Sequence, residues 1–250
     1  MSWWNTYFDE LYLRLFATLA TPEGTAREVS AVLALLDPRP GARILDLACG
    51  QGRHAVILAR LGYRVAGLDR SAVLLGRAQE AARAVAAGVA WVLGDMRCLP
   101  FGPEFDTCVS LFTSFGYFED EAENEEVLHQ VAGVLRPGGQ LFLDLKNRDT
   151  HLQQLCPASW QRQGAAIILE ETRFDAATCR STTTFTWLEG RQAESITHSV
   201  RLYTAPEVTA MLWRAGLEPV ALYGDIDGSP LAAGSKRLIV VARKGGGDDG

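Results

Sequence analysis

Residues 44–54 read Ile-Leu-Asp-Leu-Ala-Cys-Gly-Gln-Gly-Arg-His. A short apolar run breaks into Gly-x-Gly (Gly50, Gly52) where a helix begins. Such a turn lets a ligand approach the backbone closely, and the first N–H groups of the helix stay free to bind it. A tight strand-to-helix turn uses glycine for its own reasons, so both readings stand on this segment alone.

Two acids further along weigh in. Asp69 closes Val65-Ala-Gly-Leu-Asp, 17 residues after Gly52, and Asp95 follows the next strand in Gly94-Asp-Met-Arg-Cys-Leu-Pro. An acid at the tip of a second strand can accept from both hydroxyls of a ribose. One at the tip of a third can accept from an adenine amino group. Each is equally suited to cap a helix or form a turn, and Asp69-Arg70-Ser71 stands where a helix starts. Three polar features at neighbouring strand ends nonetheless define one crevice, where open α/β sheets bind ligands.

The surrounding pattern supports that sheet. Strands are expected at Arg64–Leu68, Val89–Leu93, Asp106–Leu111 and Gln140–Leu145, with helices at Ser71–Val85 and Glu119–Leu135. Continuous apolar strands alternating with helices indicate a parallel sheet covered on both faces. Ahead of it, bulky residues at helical spacing predict a helix from Trp3 to Leu19, then a second from Pro22 to Leu36. After Lys146 the rhythm changes. Residues 160–203 hold Thr-, Ile- and aromatic-rich stretches split at Asp175 and at Glu189-Gly190, which predicts about three antiparallel strands. A helix (Ala205–Ala215) and strands (Glu218–Tyr223, Arg237–Arg243) close the fold. The organisation expected is a helical arm (1–36), a core (37–149 and 204–244), a β-rich insert as lid (150–203) and a disordered Gly/Asp tail (245–250), all in one domain.

Composition bounds the rest. The chain has 250 residues, 48% of them hydrophobic and 22% charged, with a net charge of −6. That is ordinary for a soluble globular protein and argues against a dedicated nucleic-acid binder, whose affinity rests on a basic face. Five cysteines without C-x-x-C spacing give no zinc site or disulfide framework, and no metal is expected. There is neither a signal-peptide pattern nor an apolar run long enough to span a membrane, so a cytoplasmic protein is expected.

The motifs LDLACGQGRH, VAGLDRS, GDMRCLPF, FDTCVSLFTSFGYF and LRPGGQLFLD, in that order, resemble those of class I S-adenosylmethionine-dependent methyltransferases. Within that family the layout is similar to small-molecule enzymes with an aromatic N-terminal helix and a β-rich insert, amino-sugar N-methyltransferases among them. The resemblance implies a seven-stranded, mostly parallel doubly wound sheet with an antiparallel last strand. It implies S-adenosylmethionine as cofactor and S-adenosylhomocysteine as product. By the same resemblance Ala48, Cys49, Gly50 and Gly52 wrap the methionine part, with Asp46 near its amino group. Asp69 takes the ribose hydroxyls with Arg70 beside the adenine, Asp95 and Met96 hold the adenine, Leu111 contributes backbone, and Tyr12 closes over the cofactor. A nicotinamide-binding sheet is disfavoured by the Asp95 segment, the antiparallel last strand and the lack of a hydride-handling group.

The substrate side is less determined. Methyl transfer from a sulfonium is an in-line displacement that chiefly requires alignment and exclusion of water, so no catalytic residue is demanded. Tyr117 and His198 are the catalytic candidates. Tyr7, Ser114, Arg201, Asp225 and Asp227 are the substrate-binding ones. Packing or turn roles compete for each, and His198 and Arg201 must fall on opposite faces of their strand. The expected activity is methylation of N or O on a small molecule. The alternatives are an RNA or protein methyltransferase of the same fold, or a non-enzymatic S-adenosylmethionine- or nucleotide-binding protein. The aromatic first helix is also available to a homodimer interface.

Overall fold

A computed structural model describes residues 2–18 and 21–246. Strands β1 (Arg43–Leu47), β2 (Arg64–Asp69), β3 (Val89–Leu93), β4 (Phe105–Ser110) and β5 (Leu135–Lys146) run parallel. The later β10 (Leu217–Tyr223) and β11 (Arg237–Lys244) complete a seven-stranded sheet ordered β10-β11-β5-β4-β1-β2-β3. β11 is antiparallel to both neighbours, as expected. Alternation along each strand sends Leu45, Leu141, Leu143 and Val240 to one face, against α6 (Glu121–Val134) and α8 (Ala205–Arg214). Ile44, Phe142 and Ile239 go to the other, against α3 (Pro22–Leu36) and α4 (Arg53–Arg60). Grouped by sequence with the arm, α3 is instead part of this core through Val29, Val32 and Leu36. The Arg136–Gly139 helix stop is looped out of the start of β5, whose pairing to β4 jumps from Leu135 to Gln140.

Two other expectations change. The first helix is broken into α1 (Trp4–Tyr7) and α2 (Glu10–Phe16), because the Asp9 carboxylate accepts from the N–H groups of Leu11 (2.9 Å) and Tyr12 (3.2 Å) and starts a new helix. Its expected end, Leu19, lies outside the described residues, as do tail positions 247–250. The lid has four strands rather than three: β6 (Ala158–Gln163), β7 (Ala166–Asp175), β8 (Arg180–Glu189) and β9 (Gln192–Arg201). Gly164, at φ 61°, makes a two-residue turn that folds the first expected stretch into a hairpin. α5 (Ala72–Ala84) links β2 to β3, and α7 (Arg148–Gln153) leads from the core to the lid. Leu11 and Leu15 of the arm pack on Ala166, Ile168 and Trp187 of the lid. The aromatic face foreseen for a dimer interface is therefore turned inward. No helix among the described residues is long and apolar enough to cross a membrane.

Candidate active site

Between β1 and β4 the strand order reverses, and a cavity of about 1290 Å³, counting its open mouth, lies beyond their carboxyl ends. At its floor Asp46, 2% exposed, accepts a hydrogen bond from the Ala55 backbone, while its Oδ2 is buried with no partner among the described residues. Burial first, and the neighbouring Asp69 charge second, raise this carboxyl to about 7. An orphaned acidic oxygen at the floor of a cavity fits a ligand that brings a cationic donor.

The glycine loop curls over it with Ala48, Gly50 and Gly52 all at positive φ. Gly52 (φ 75°) has a second constraint, since a methyl there would sit 2.8 Å from Ala78 and clash with Trp91. Gly67, in β2, makes room for the same indole, which a methyl would meet at 2.6 Å. Asp69 braces the loop: Oδ2 accepts from Gly50 N (2.7 Å) and Oδ1 from Ser71 N (2.8 Å), and burial raises its pKa. Ser71 caps α5 and donates to the Phe8 carbonyl at 2.6 Å, tying the arm to the site. At the rim Asp95 accepts from Arg70 (2.7 Å) and from Arg97, whose hydrogen bond is the main reason its carboxyl is held below the usual range. Met96 lines the same wall.

Opposite, Leu111 leads into Phe112 and Thr113, both left-handed (φ 60° and 59°). That conformation is fixed by Asp144, fully buried, whose Oδ2 accepts from Phe112 N at 2.9 Å and whose carboxylate is gripped by Arg237. The Phe112 ring lies between the guanidinium groups of Arg53 (4.2 Å) and Arg237 (4.9 Å). Sequence reasoning assigned none of Arg53, Asp144 and Arg237. The first adjoins the glycine motif and was legible, whereas the other two meet across 93 residues.

Tyr12, Ser114 and Tyr117 line the cavity beside Trp4, Phe8 and Phe16 of the arm. Burial pushes the Tyr117 hydroxyl up, so it stays neutral. Its loop is clamped by the lid and by α6. Arg180 donates to the carbonyls of Tyr117 (3.0 Å) and Phe118 (2.8 Å), Asn124 Nδ2 to Phe118 O (3.0 Å), and Arg201 N to Gly116 O (2.8 Å).

The other candidates lie elsewhere. Tyr7 is buried behind Phe8, packed on His198 at 5.1 Å, and neither lines the cavity. Arg201 falls on the opposite face from His198, pairing with Glu207 (2.8 Å) over the Tyr203 ring. Asp225 and Asp227 accept from the backbone of Ile226 and Ser229 within their own turn and do not reach the cavity. Their turn chemistry suffices to explain them.

Comparison with known proteins agrees with this geometry. Residues 44–139 match a family model described as a methyltransferase domain. Along nearly its whole length the chain is similar to the cypemycin N-terminal methyltransferase of a Streptomyces species, at 25% identity over 95% of this chain and 97% of that one. Among solved structures, the CcbJ methyltransferase of Streptomyces caelestis superposes with TM-score 0.84 at 23% identity, covering 96% of this chain and 98% of the other. CalS10, an amino pentose methyltransferase from Micromonospora echinaspora solved with S-adenosylmethionine bound, gives 0.70 at 22% identity over 94% and 97%. At these identities the structures speak for the fold and the family model for the chemistry: residues 44–139 form a methyltransferase domain, in a chain that has the fold of the S-adenosylmethionine-dependent methyltransferases.

Proposed function

We propose that this enzyme methylates an amine nitrogen of a small molecule. The supporting observation is the wall that the cavity turns toward the arm and lid: aromatic rings with the hydroxyls of Tyr117 and Ser114. Neutral hydroxyls orient a lone pair but take up no proton, which suits an amine and leaves an alcohol without its base. The names of two relatives, an N-terminal methyltransferase and an amino pentose methyltransferase, point the same way.

S-adenosylmethionine, when bound, supplies a methyl already activated on a sulfonium. The chain's residues hold and align. The orphaned Oδ2 of Asp46 would take the cofactor's ammonium, and Arg53, on the same cavity wall, would face its carboxylate. Ala48, Cys49, Gly50 and Gly52 would hold the methionine part together with the backbone at Leu111. Asp69 would accept from the ribose, Asp95 and Arg70 would edge the adenine, and Met96 would pack on it. Tyr12 and Phe8 close the site against water, which strengthens each of these contacts.

Calorimetric titration should give S-adenosylhomocysteine a dissociation constant in roughly the micromolar range. Asp69→Ala should weaken it by about 10- to 100-fold, since it removes a charge-assisted brace on the glycine loop. A panel of matched amines and alcohols then tests the acceptor. Turnover of alcohols alone would overturn the amine reading.

A further inference from the structure

Sheet order gives the cavity two ends. Asp46, Asp69 and Asp95 stand at or beside the carboxyl ends of β1, β2 and β3, which lie side by side. Ser114 and Tyr117 belong to the loop after β4, on the other flank of β1. From Tyr117 a row of aromatic rings crosses to the lid. Phe8 lies 5.8 Å from Tyr117, Tyr12 5.2 Å from Phe8, and Phe16 4.8 Å from Tyr12, ring centre to ring centre. Phe16 then meets Phe185 of β8 at 5.3 Å. All four rings of the row before Phe185 line the cavity, and half-buried Leu13 lines it with them. Leu13 and Phe16 are three residues apart on α2, so they share one side of that helix.

The charges on the cavity wall are engaged elsewhere. Asp46 and Asp69 serve the glycine loop and the cofactor end, Arg53 pairs with Glu28 at 2.5 Å, and Arg70 with Asp95 at 2.7 Å. His54 is bonded to Glu28 at 2.9 Å, and burial lowers its pKa. Arg14, next to Leu13 in the chain, pairs with Glu194 of the lid at 2.7 Å, and Arg180 is spent on the carbonyls of Tyr117 and Phe118. The Ser114 hydroxyl donates to Leu111 O at 2.8 Å. Among the described residues, the acceptor end therefore offers apolar surface at Leu13 and Phe16 and a few hydroxyls near the transfer point.

We propose that the acceptor is a lipophilic amine, whose aliphatic or aryl body packs on Leu13 and Phe16 while its nitrogen meets Tyr117 and Ser114. Those two arm residues are its specificity determinants. A hydroxyl-rich body would give up its bonds to water and find too few in return, and a phosphate or carboxylate would lack a cation. The same surface serves the reaction. Apolar surroundings favour the uncharged form of an amine, so burial of the body frees the nitrogen lone pair where no base stands. That lone pair forms the C–N bond as the C–S bond breaks with its electrons staying on sulfur, and the ammonium so formed gives its proton to water. The inference rests on the amine-methyltransferase reading and adds what the amine is attached to.

The test measures S-adenosylhomocysteine formed from two pairs of amines, cyclohexylamine against glucosamine and leucinamide against asparaginamide. Each pair sets an apolar body against a polar one of like skeleton. The apolar member should lead by at least about tenfold in kcat/KM, the scale of one polar group buried without a partner. Leu13→Asn and Phe16→Gln should each remove most of that lead, through KM rather than kcat, while Leu13→Met keeps it. S-adenosylhomocysteine affinity should stay unchanged in all three, the sign of an intact fold. A polar member equal to or ahead of its partner overturns the proposal, as does a lead that survives both polar variants. So does an absence of transfer to all four amines with cyclohexanol inert as well. Methylation of cyclohexanol but of no amine would instead overturn the amine reading beneath and leave the apolar site standing. Failure of S-adenosylhomocysteine to bind would overturn the methyltransferase reading itself.

Discussion

At the scale of single residues, Asp46 carries the sharpest trade. Its carboxyl titrates near 7 in the folded protein, against an ordinary value of 3.8. Between those values the native state holds a proton that the unfolded chain has released, so ligand-free stability falls as pH rises from about 4 to about 7 and levels off beyond. Ligand affinity runs the other way, because the cofactor's ammonium needs the ionised acid. Affinity for S-adenosylhomocysteine should climb toward pH 7 with a slope approaching about tenfold per unit. Asp46→Asn should flatten that slope, weaken binding at pH 8 by about tenfold and raise the ligand-free Tm by several degrees. Calorimetry and thermal unfolding from pH 5.5 to 8 check both halves, and a slope that persists in the variant would count against the assignment. Much of this site could be read from the chain because its acids and glycines sit at the ends of successive strands. Arg180 and the Asp144–Arg237 pair could not, since each joins segments that are distant in the chain.

Among the elements, the arm departs most from its sequence pattern. Apolar positions 4, 7, 8, 11, 12, 15 and 16 run through the break at Phe8-Asp9 because α1 and α2 share one buried side. Helical periodicity cannot register such an interruption. The available cue was Asp9 itself, an N-cap residue standing inside an apparent helix. The extra lid strand was hidden for a similar reason: a two-residue turn led by Gly164 leaves no polar run to mark it. Asp9→Ala removes both bonds that start α2 and should cost the arm about 1 kcal/mol. Limited proteolysis should then cut the arm faster while the core unfolds at an unchanged urea midpoint. Unchanged cleavage would mean that packing on the lid, rather than the cap, orders this segment.

At the scale of the whole molecule, the arm is bound on both sides. Ser71 and Arg77 of the core hold Phe8 O and Glu10, while Gln163 and Glu194 of the lid hold Arg14. With Leu11 and Leu15 buried against the lid, arm and lid are joined as one cover resting on the sheet. The same arm supplies Trp4, Phe8, Tyr12 and Phe16 to the wall around the cofactor cavity. Release of the spent cofactor is expected to need that joined cover to lift, a far larger motion than the approach of two atoms already in line. Rapid-quench kinetics should accordingly show a burst of about one methylated product per enzyme before the steady state. Added viscogen should slow the later phase and leave the burst rate unchanged, so that the clock of this enzyme is set by its hinge and not by its bond.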